Sequence, residues 1–152
     1  AQVSVAERRR HAGPRVITPH AGEMARLLGA AADGPEARDR EGLERAAAEM
    51  ASALDAIIVL KGPGTVIAGP RFLARNATGN PGMATAGTGD VLTGVTAALL
   101  AQGLETFAAA RLAAWVHGRA GDAAAVDLGQ VSMTARDLLD RLHVAFREVA
   151  PA

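Results

Sequence analysis

Cysteine is absent from this 152-residue chain, so neither a disulfide nor a thiolate metal site enters any account of it. Net charge is absent too. Sixteen Lys and Arg residues balance sixteen Asp and Glu residues, which leaves no electrostatic footprint for nucleic acid. No apolar run approaches the ~20 residues that a membrane span requires. The first ten residues, Ala-Gln-Val-Ser-Val-Ala-Glu-Arg-Arg-Arg, lack the apolar core of a signal peptide. These absences are the expectation for a soluble cytoplasmic protein whose partners include neither nucleic acid nor a membrane. The length suits one domain with a real core. No internal repeat or linker divides it, so residues 1–152 are expected to belong to a single domain.

Small residues are plentiful instead, and they concentrate between positions 79 and 103. Gly79-Asn80-Pro81-Gly82-Met83-Ala84-Thr85-Ala86-Gly87-Thr88-Gly89 has no long side chain except Met83. From Asp90 onward Val91, Leu92, Val95, Ala98 and Leu99 recur at helical spacing, and Gly103 marks a stop. A loop of this kind feeding a helix aims backbone N–H groups and the positive end of the macrodipole at an anion. Gly87, Thr88 and Gly89 are the expected anion hole. Asp90 beside it suits a carboxylate that takes a proton from a hydroxyl while the donors hold a phosphoryl group in transfer. The competing reading is structural, because Asp is a common helix cap and glycines often only make turns. No Lys-Ser or Lys-Thr follows the last glycine, so this is not a Walker A loop, and the dinucleotide Gly-x-Gly-x-x-Gly pattern is absent.

Residues 1–13 read as a helix end or a loop. Arg15-Val16-Ile17-Thr18 reads as a strand between Pro14 and Pro19, and a helix is expected over 24–28, stopped by Gly29. His20 and Glu23 lie just past the strand, where ligands bind in open α/β sheets. Their bland alternative is a turn cap and a first-turn acid. Positions 30–40 read as a loop. Leu43, Ala46, Ala47, Met50, Ala51 and Leu54 mark the buried face of a covering helix with Glu44, Arg45 and Glu49 opposite. Ala56-Ile57-Ile58-Val59-Leu60 reads as a strand buried on both faces. It delivers Lys61-Gly62-Pro63-Gly64-Thr65, a second candidate phosphate or nucleotide contact. A hairpin is expected around Gly69-Pro70, then helices over 106–125 and after a cap at Thr134 with Asp137 three residues on. Leu138, Leu142, Ala145 and Val149 line the last helix's buried side, and Asp137, Asp140, Arg141 and Arg147 its solvated face. His117 is expected to be a buried, hydrogen-bonded histidine. The order gives an α/β layered sandwich in which segments 18–23, 61–65 and 79–90 can converge on one sheet edge.

Thr18-Pro19-His20-x-x-Glu23, Lys61-Gly62-x-Gly64-Thr65 and the run from Asn80 to Asp90, in that order, resemble the C-terminal part of NAD(P)H-hydrate dehydratases. The resemblance runs from about Val16 to Leu139, and its Asn-to-Asp motif is the specific part. It implies a ribokinase-like layered sandwich, a largely parallel sheet flanked by helices, with the N-terminal portion of the domain missing here. It also implies a repair reaction in which ADP or ATP phosphorylates the hydroxyl of hydrated NADH or NADPH and phosphate is then eliminated. By resemblance His20 and Asp90 contact the hydrated cofactor, with Asp90 catalytic. Lys61, Gly62, Pro63, Gly64, Thr65 and Gly89 contact the adenine nucleotide, and Glu23 helps organise Mg²⁺, through water. Family members are longer, so the chain is expected to act as a homo-oligomer or to be completed by a missing N-terminal segment, and to be catalytically silent alone. Two alternatives stand beside this: a ribokinase-like kinase of a small vitamin precursor, and a truncated, non-catalytic nucleotide-binding remnant.

Overall fold

A computed structural model describes residues 13–35 and 39–149. The expectation for residues 1–12 and part of that for the 30–40 loop lie outside the described residues. The chain divides into two compact units, Ala1–Arg75 and Asn76–Ala152.

In the first unit Val16–Ile17 forms β1, Ala21–Leu27 α1, Arg40–Leu54 α2, Ile57–Leu60 β2, Val66–Ala68 β3 and Leu73–Arg75 β4. They make one sheet in the order β1-β2-β3-β4. Strand β1 runs parallel to β2, with Val16 opposite Ile57, because the crossover between them is long enough to hold α1 and α2. The connections 61–65 and 69–72 are too short for a crossover, so β2–β3 and β3–β4 are antiparallel. A largely parallel sheet therefore holds only at β1–β2 among the described strands. Strand β2 is buried along its whole length, as its unbroken apolar run requires. Met24, Leu43, Ala47 and Ala51 from the helices pack with Ile58, Leu60, Val66 and Ala68 from the strands. Each fully buried Leu, Ile or Met there contributes about 1.5–3 kcal/mol. Helix α1 begins at Ala21, three residues before the first periodic apolar position, Met24, because His20 caps it. In α2 Ala46 and Met50 are only half-buried, and the helix closes at Asp55, the one described non-glycine residue with positive φ, 48°.

The second unit holds a 3₁₀ turn (Pro81–Met83) and three helices, α3 (Thr88–Ala101), α4 (Thr106–Leu128) and α5 (Ala135–Val149). Helix α3 starts before Asp90, and Ala98 faces solvent, while Leu92, Val95, Thr96 and Leu99 are buried. Helix α4 buries a nearly continuous band of small residues, among them Ala110, Ala114, Gly118 and Gly121. Close backbone approach follows from that composition. Helix α5 buries Leu138 and Ala145, but Leu142 is half-buried and Val149 is exposed, since it lies in the last turn. Its polar side is tied by Arg136 to Asp140 and by Arg141 to Asp127. No helix among the described residues is long and apolar enough to cross a membrane.

Candidate functional site

The loop before α3 is built onto α4. Asn76 is buried and donates from Nδ2 to Thr78 O and Ala114 O, both at 3.1 Å. Thr78 Oγ1 lies 3.0 Å from Trp115 O. Asp122 accepts from Gly79 N at 3.0 Å and from Asn80 Nδ2 at 3.1 Å, and Asn80 Oδ1 in turn caps the 3₁₀ turn through Gly82 N. The glycines of α4 make room for this. A Cβ on Gly118 would lie 2.6 Å from the Thr78 carbonyl carbon, and one on Gly121 would strike Met83. His117 was expected on this helix, but the tie of the loop to Asp122 was not. The signal was the small-residue spacing Gly118-x-x-Gly121, which leaves a groove on one helix face.

Gly87 then takes φ 88°, a conformation that favours glycine, and serves as N-cap without a side-chain cap bond. Its carbonyl accepts from Asp90 N at 3.1 Å and Val91 N at 3.2 Å. The N–H groups of Thr88 and Gly89 have no intrahelical partner, as at any helix start. The Thr88 side chain is turned inward, with Oγ1 2.8 Å from Met83 O and 2.9 Å from Thr85 O. Thr88 can therefore offer an anion only its backbone. Asp90 sits in the first turn, exposed. It is not the cap; Gly87 is, and Asp90 stands at the third helical position, where the macrodipole also favours an acid. Gly89 lies inside the helix and is not among the glycines with positive φ.

In the first unit, His20 and Glu23 form a capping box. Glu23 N donates to His20 Nδ1 at 3.2 Å, and His20 N donates to Glu23 Oε2 at 2.7 Å. Because Nδ1 accepts, the neutral imidazole carries its proton on Nε2, which lies 3.4 Å from Glu23 Oε1. The Lys61 ammonium is 3.5 Å from Glu23 Oε2. Burial raises the Glu23 carboxyl, but the His20 N–H and the neighbouring Lys61 and His20 outweigh it and hold the group below its ordinary range. His20, Glu23 and Lys61 are thus brought together. Lys61 N also donates to Pro19 O at 2.8 Å, joining the ends of β1 and β2. Thr65 Oγ1 closes the loop on Gly62 O at 3.1 Å. Glu23 lines a shallow depression of about 420 Å³ with Ile17, Thr18, Pro19, Arg26 and Leu27.

Helix α2, expected only to cover the sheet, also reaches the loop after β2 through Arg40. From the first turn of α2 its guanidinium donates to Lys61 O at 3.2 Å and Gly64 O at 3.1 Å, with Leu60 O at 3.5 Å. Glu44, expected on the solvated face, is instead shared between Arg40 Nε and Arg75 Nη1, each at 2.9 Å. Among the described residues no three His, Cys, Asp or Glu side chains are grouped to hold a metal ion.

A family model described as NAD(P)H-hydrate dehydratase matches residues 2–143. The chain is 52% identical over 138 residues to the bifunctional NAD(P)H-hydrate repair enzyme Nnr of Moorella thermoacetica, covering 90% of this chain and 25% of that protein. The ADP/ATP-dependent NAD(P)H-hydrate dehydratase from Bacillus subtilis, co-crystallized with ATP/Mg²⁺, matches with a TM-score of 0.80 at 33% identity, over 90% of this chain and 48% of that one. A ribokinase-like superfamily protein from Enterococcus faecalis matches at 0.63 and 32% identity, over 88% of this chain and 45% of that one. The chain therefore spans from about a quarter to about half of the length of these relatives. Its fold is ribokinase-like, and the chain belongs to the NAD(P)H-hydrate dehydratase family.

Proposed function

We propose that this chain is part of an ADP- or ATP-dependent dehydratase that restores NADH or NADPH from their hydrates. In this reading both units belong to one ribokinase-like domain, in a cytoplasmic enzyme that is a homo-oligomer or is completed by further polypeptide. The observation that carries it is Asp90, an exposed carboxylate in the first turn of α3, beside the unpartnered helix-start N–H groups of Thr88 and Gly89. Asp90 takes the proton of the hydroxyl on the hydrated nicotinamide ring as that oxygen receives the terminal phosphoryl group of the nucleotide. The N–H groups at Gly87, Thr88 and Gly89 hold the charge on the phosphoryl oxygens. Phosphate then leaves with the electrons of its carbon–oxygen bond, the neighbouring ring carbon gives up a proton to solvent, and the ring double bond is regained. His20, through its Nε2–H, contacts the hydrated cofactor. Residues 61–65 and Gly89 contact the adenine nucleotide, with Lys61 as the cation.

Mg²⁺ keeps several waters and is bound through phosphates and one or two carboxylates. Glu23 fits such an outer role, because its oxygens already accept from His20 N and face Lys61 and His20 Nε2. It would meet the ion through water, and the ion would offset phosphate charge. The test replaces the matched segment of the Moorella thermoacetica enzyme with this chain. Recovery of NADH from its hydrate is then followed with ADP or ATP and Mg²⁺, beside the 152-residue chain alone. Turnover by the chimera supports the reading. A stable phosphorylated product would make the chain part of a small-molecule kinase, and a silent chimera that still binds ADP would make it a nucleotide-binding remnant.

A further inference from the structure

We propose that Arg40 is the positioning residue that shapes the nucleotide-contacting loop 61–65. This rests on the reading of that loop given above, and it assigns Arg40 no contact with the nucleotide. The loop leaves the buried end of β2 and runs through Gly62 at φ 138° and Gly64 at φ 62°, conformations that leave many alternatives open to glycine. Something must select one of them. Arg40 donates to the carbonyls of Lys61 and Gly64 at 3.2 and 3.1 Å, the first just before the Gly62-Pro63-Gly64 apex and the second at its last residue.

The consequence lies in the peptide planes. In a trans peptide the carbonyl and the following N–H point in opposite directions, and none of the described peptides is cis. Holding Lys61 O and Gly64 O on the guanidinium therefore turns the N–H groups of Gly62 and Thr65 away from it. The apex residues Gly62, Pro63 and Gly64 are exposed, so a phosphate can approach without displacing the chain. Carbonyl oxygens, which would repel it, are kept occupied.

The strut is itself held. Glu44 grips Arg40 Nε at 2.9 Å while Arg75 on β4 grips Glu44, and the Glu44 side chain is only 14% exposed. A planar fork with several fixed donors can span two carbonyls and a carboxylate, whereas a single ammonium cannot. The same loop carries Lys61, the only lysine of the chain, whose ammonium is 3.5 Å from Glu23.

The experiment uses the 152-residue chain and its R40Q and R40K variants, with two measurements. Backbone order at Gly62, Gly64 and Thr65 is read by NMR relaxation without nucleotide, with β2 and β3 amides as reference. The dissociation constant for ADP is read by calorimetry. Both variants are expected to lose order at those three amides while β2 and β3 stay rigid, and to bind ADP about tenfold or more weakly, the usual worth of a charged hydrogen bond. Unchanged ADP affinity in the variants, with the wild type binding, overturns the positioning role and leaves the nucleotide reading standing. No ADP binding by the wild type removes that reading, and the inference with it. If R40Q loses order in β2 and β3 as well, R40K decides. Weaker binding with ordered strands supports the strut, and full wild-type affinity overturns it.

Discussion

His117 on α4 donates from Nε2 to the carbonyl of Thr88 across 2.8 Å. The direction follows from chemistry, since a carbonyl oxygen can only accept, so Nε2 carries the proton. Thr88 is the first residue of α3, and its hydroxyl faces Met83 O and Thr85 O. One residue thus has both its side chain and its carbonyl held by neighbours in the same unit. His117→Ala is expected to lower stability by about 1–2 kcal/mol, the cost of removing one partner of a half-buried hydrogen bond. His143→Ala should change it by less than about 0.5 kcal/mol, because that ring is exposed on α5. Urea midpoints for the two variants check this, and equal shifts would remove His117 from the support of the loop.

That bond also shows what the sequence could and could not reveal. The strand Ile57–Leu60, the helix Arg40–Leu54 and the start near Asp90 were legible because apolar periodicity records burial. The Asn80-to-Asp90 run was legible because its residue types are unusual together. The ties beneath it were not, since Asp122 to Gly79 and His117 to Thr88 are forty-three and twenty-nine residues apart and no local pattern encodes such pairs. Arg40 was hidden for a related reason. It falls at the end of the segment read as a loop, and nothing local marks it until the fold brings residues 60–64 to it.

The glycines of α4 and α3 should respond in opposite directions to the same change. A Cβ on Gly118 would meet the Thr78 backbone at 2.6 Å, and backbone cannot swing aside as a flexible side chain can. Gly118→Ala is expected to destabilise by about 1–3 kcal/mol through overpacking. Gly94, in the middle of α3, has nothing within 4 Å of its added Cβ. Gly94→Ala is expected to stabilise by about 0.5–1 kcal/mol from helix propensity. Thermal and urea unfolding of the pair measure both signs.

Acid should weaken the protein through two clamped carboxylates. Hydrogen bonding from Arg75, opposed by partial burial and aided by Arg40, holds Glu44 below its ordinary range. Hydrogen bonding from Arg119 does the same for Glu148. A depressed carboxyl contributes stability that is complete above its unfolded value, about 4.3, and is lost as pH falls through the folded value. Stability is therefore expected to hold from neutral pH to about pH 5 and then to decline. Glu44→Gln should be less stable than wild type at pH 7 and should show a shallower acid decline. Urea titrations at several pH values separate this from a general effect of charge, which would leave the two slopes equal.

Asp90→Asn keeps the shape and the first-turn position while removing the base. In the chimeric dehydratase it is expected to lower turnover by about 10²–10⁴, the usual worth of a positioned acid or base, while ADP affinity changes little. A variant that loses ADP affinity in the same proportion as turnover would show Asp90 serving the nucleotide and not the hydroxyl.

Two glycines of the proposed anion hole look alike in sequence and should respond differently to alanine. Gly87 has φ 88° and an added Cβ would lie 3.1 Å from Ala135 Cβ, so Gly87→Ala meets both backbone strain and crowding. Left-handed backbone alone costs an ordinary residue about 1–2 kcal/mol, and that loss should appear in urea unfolding with no ligand present. Gly89 is in the helix without positive φ, and alanine there is expected to leave stability unchanged or to raise it by up to about 1 kcal/mol. Any effect of Gly89→Ala on ADP affinity then reports a methyl group standing where phosphate would approach the first-turn N–H groups. Weaker ADP binding with undiminished stability is the expected outcome at Gly89. A Gly89→Ala variant that binds ADP as well as wild type, in a protein whose wild type binds it, would move the phosphate away from this helix start.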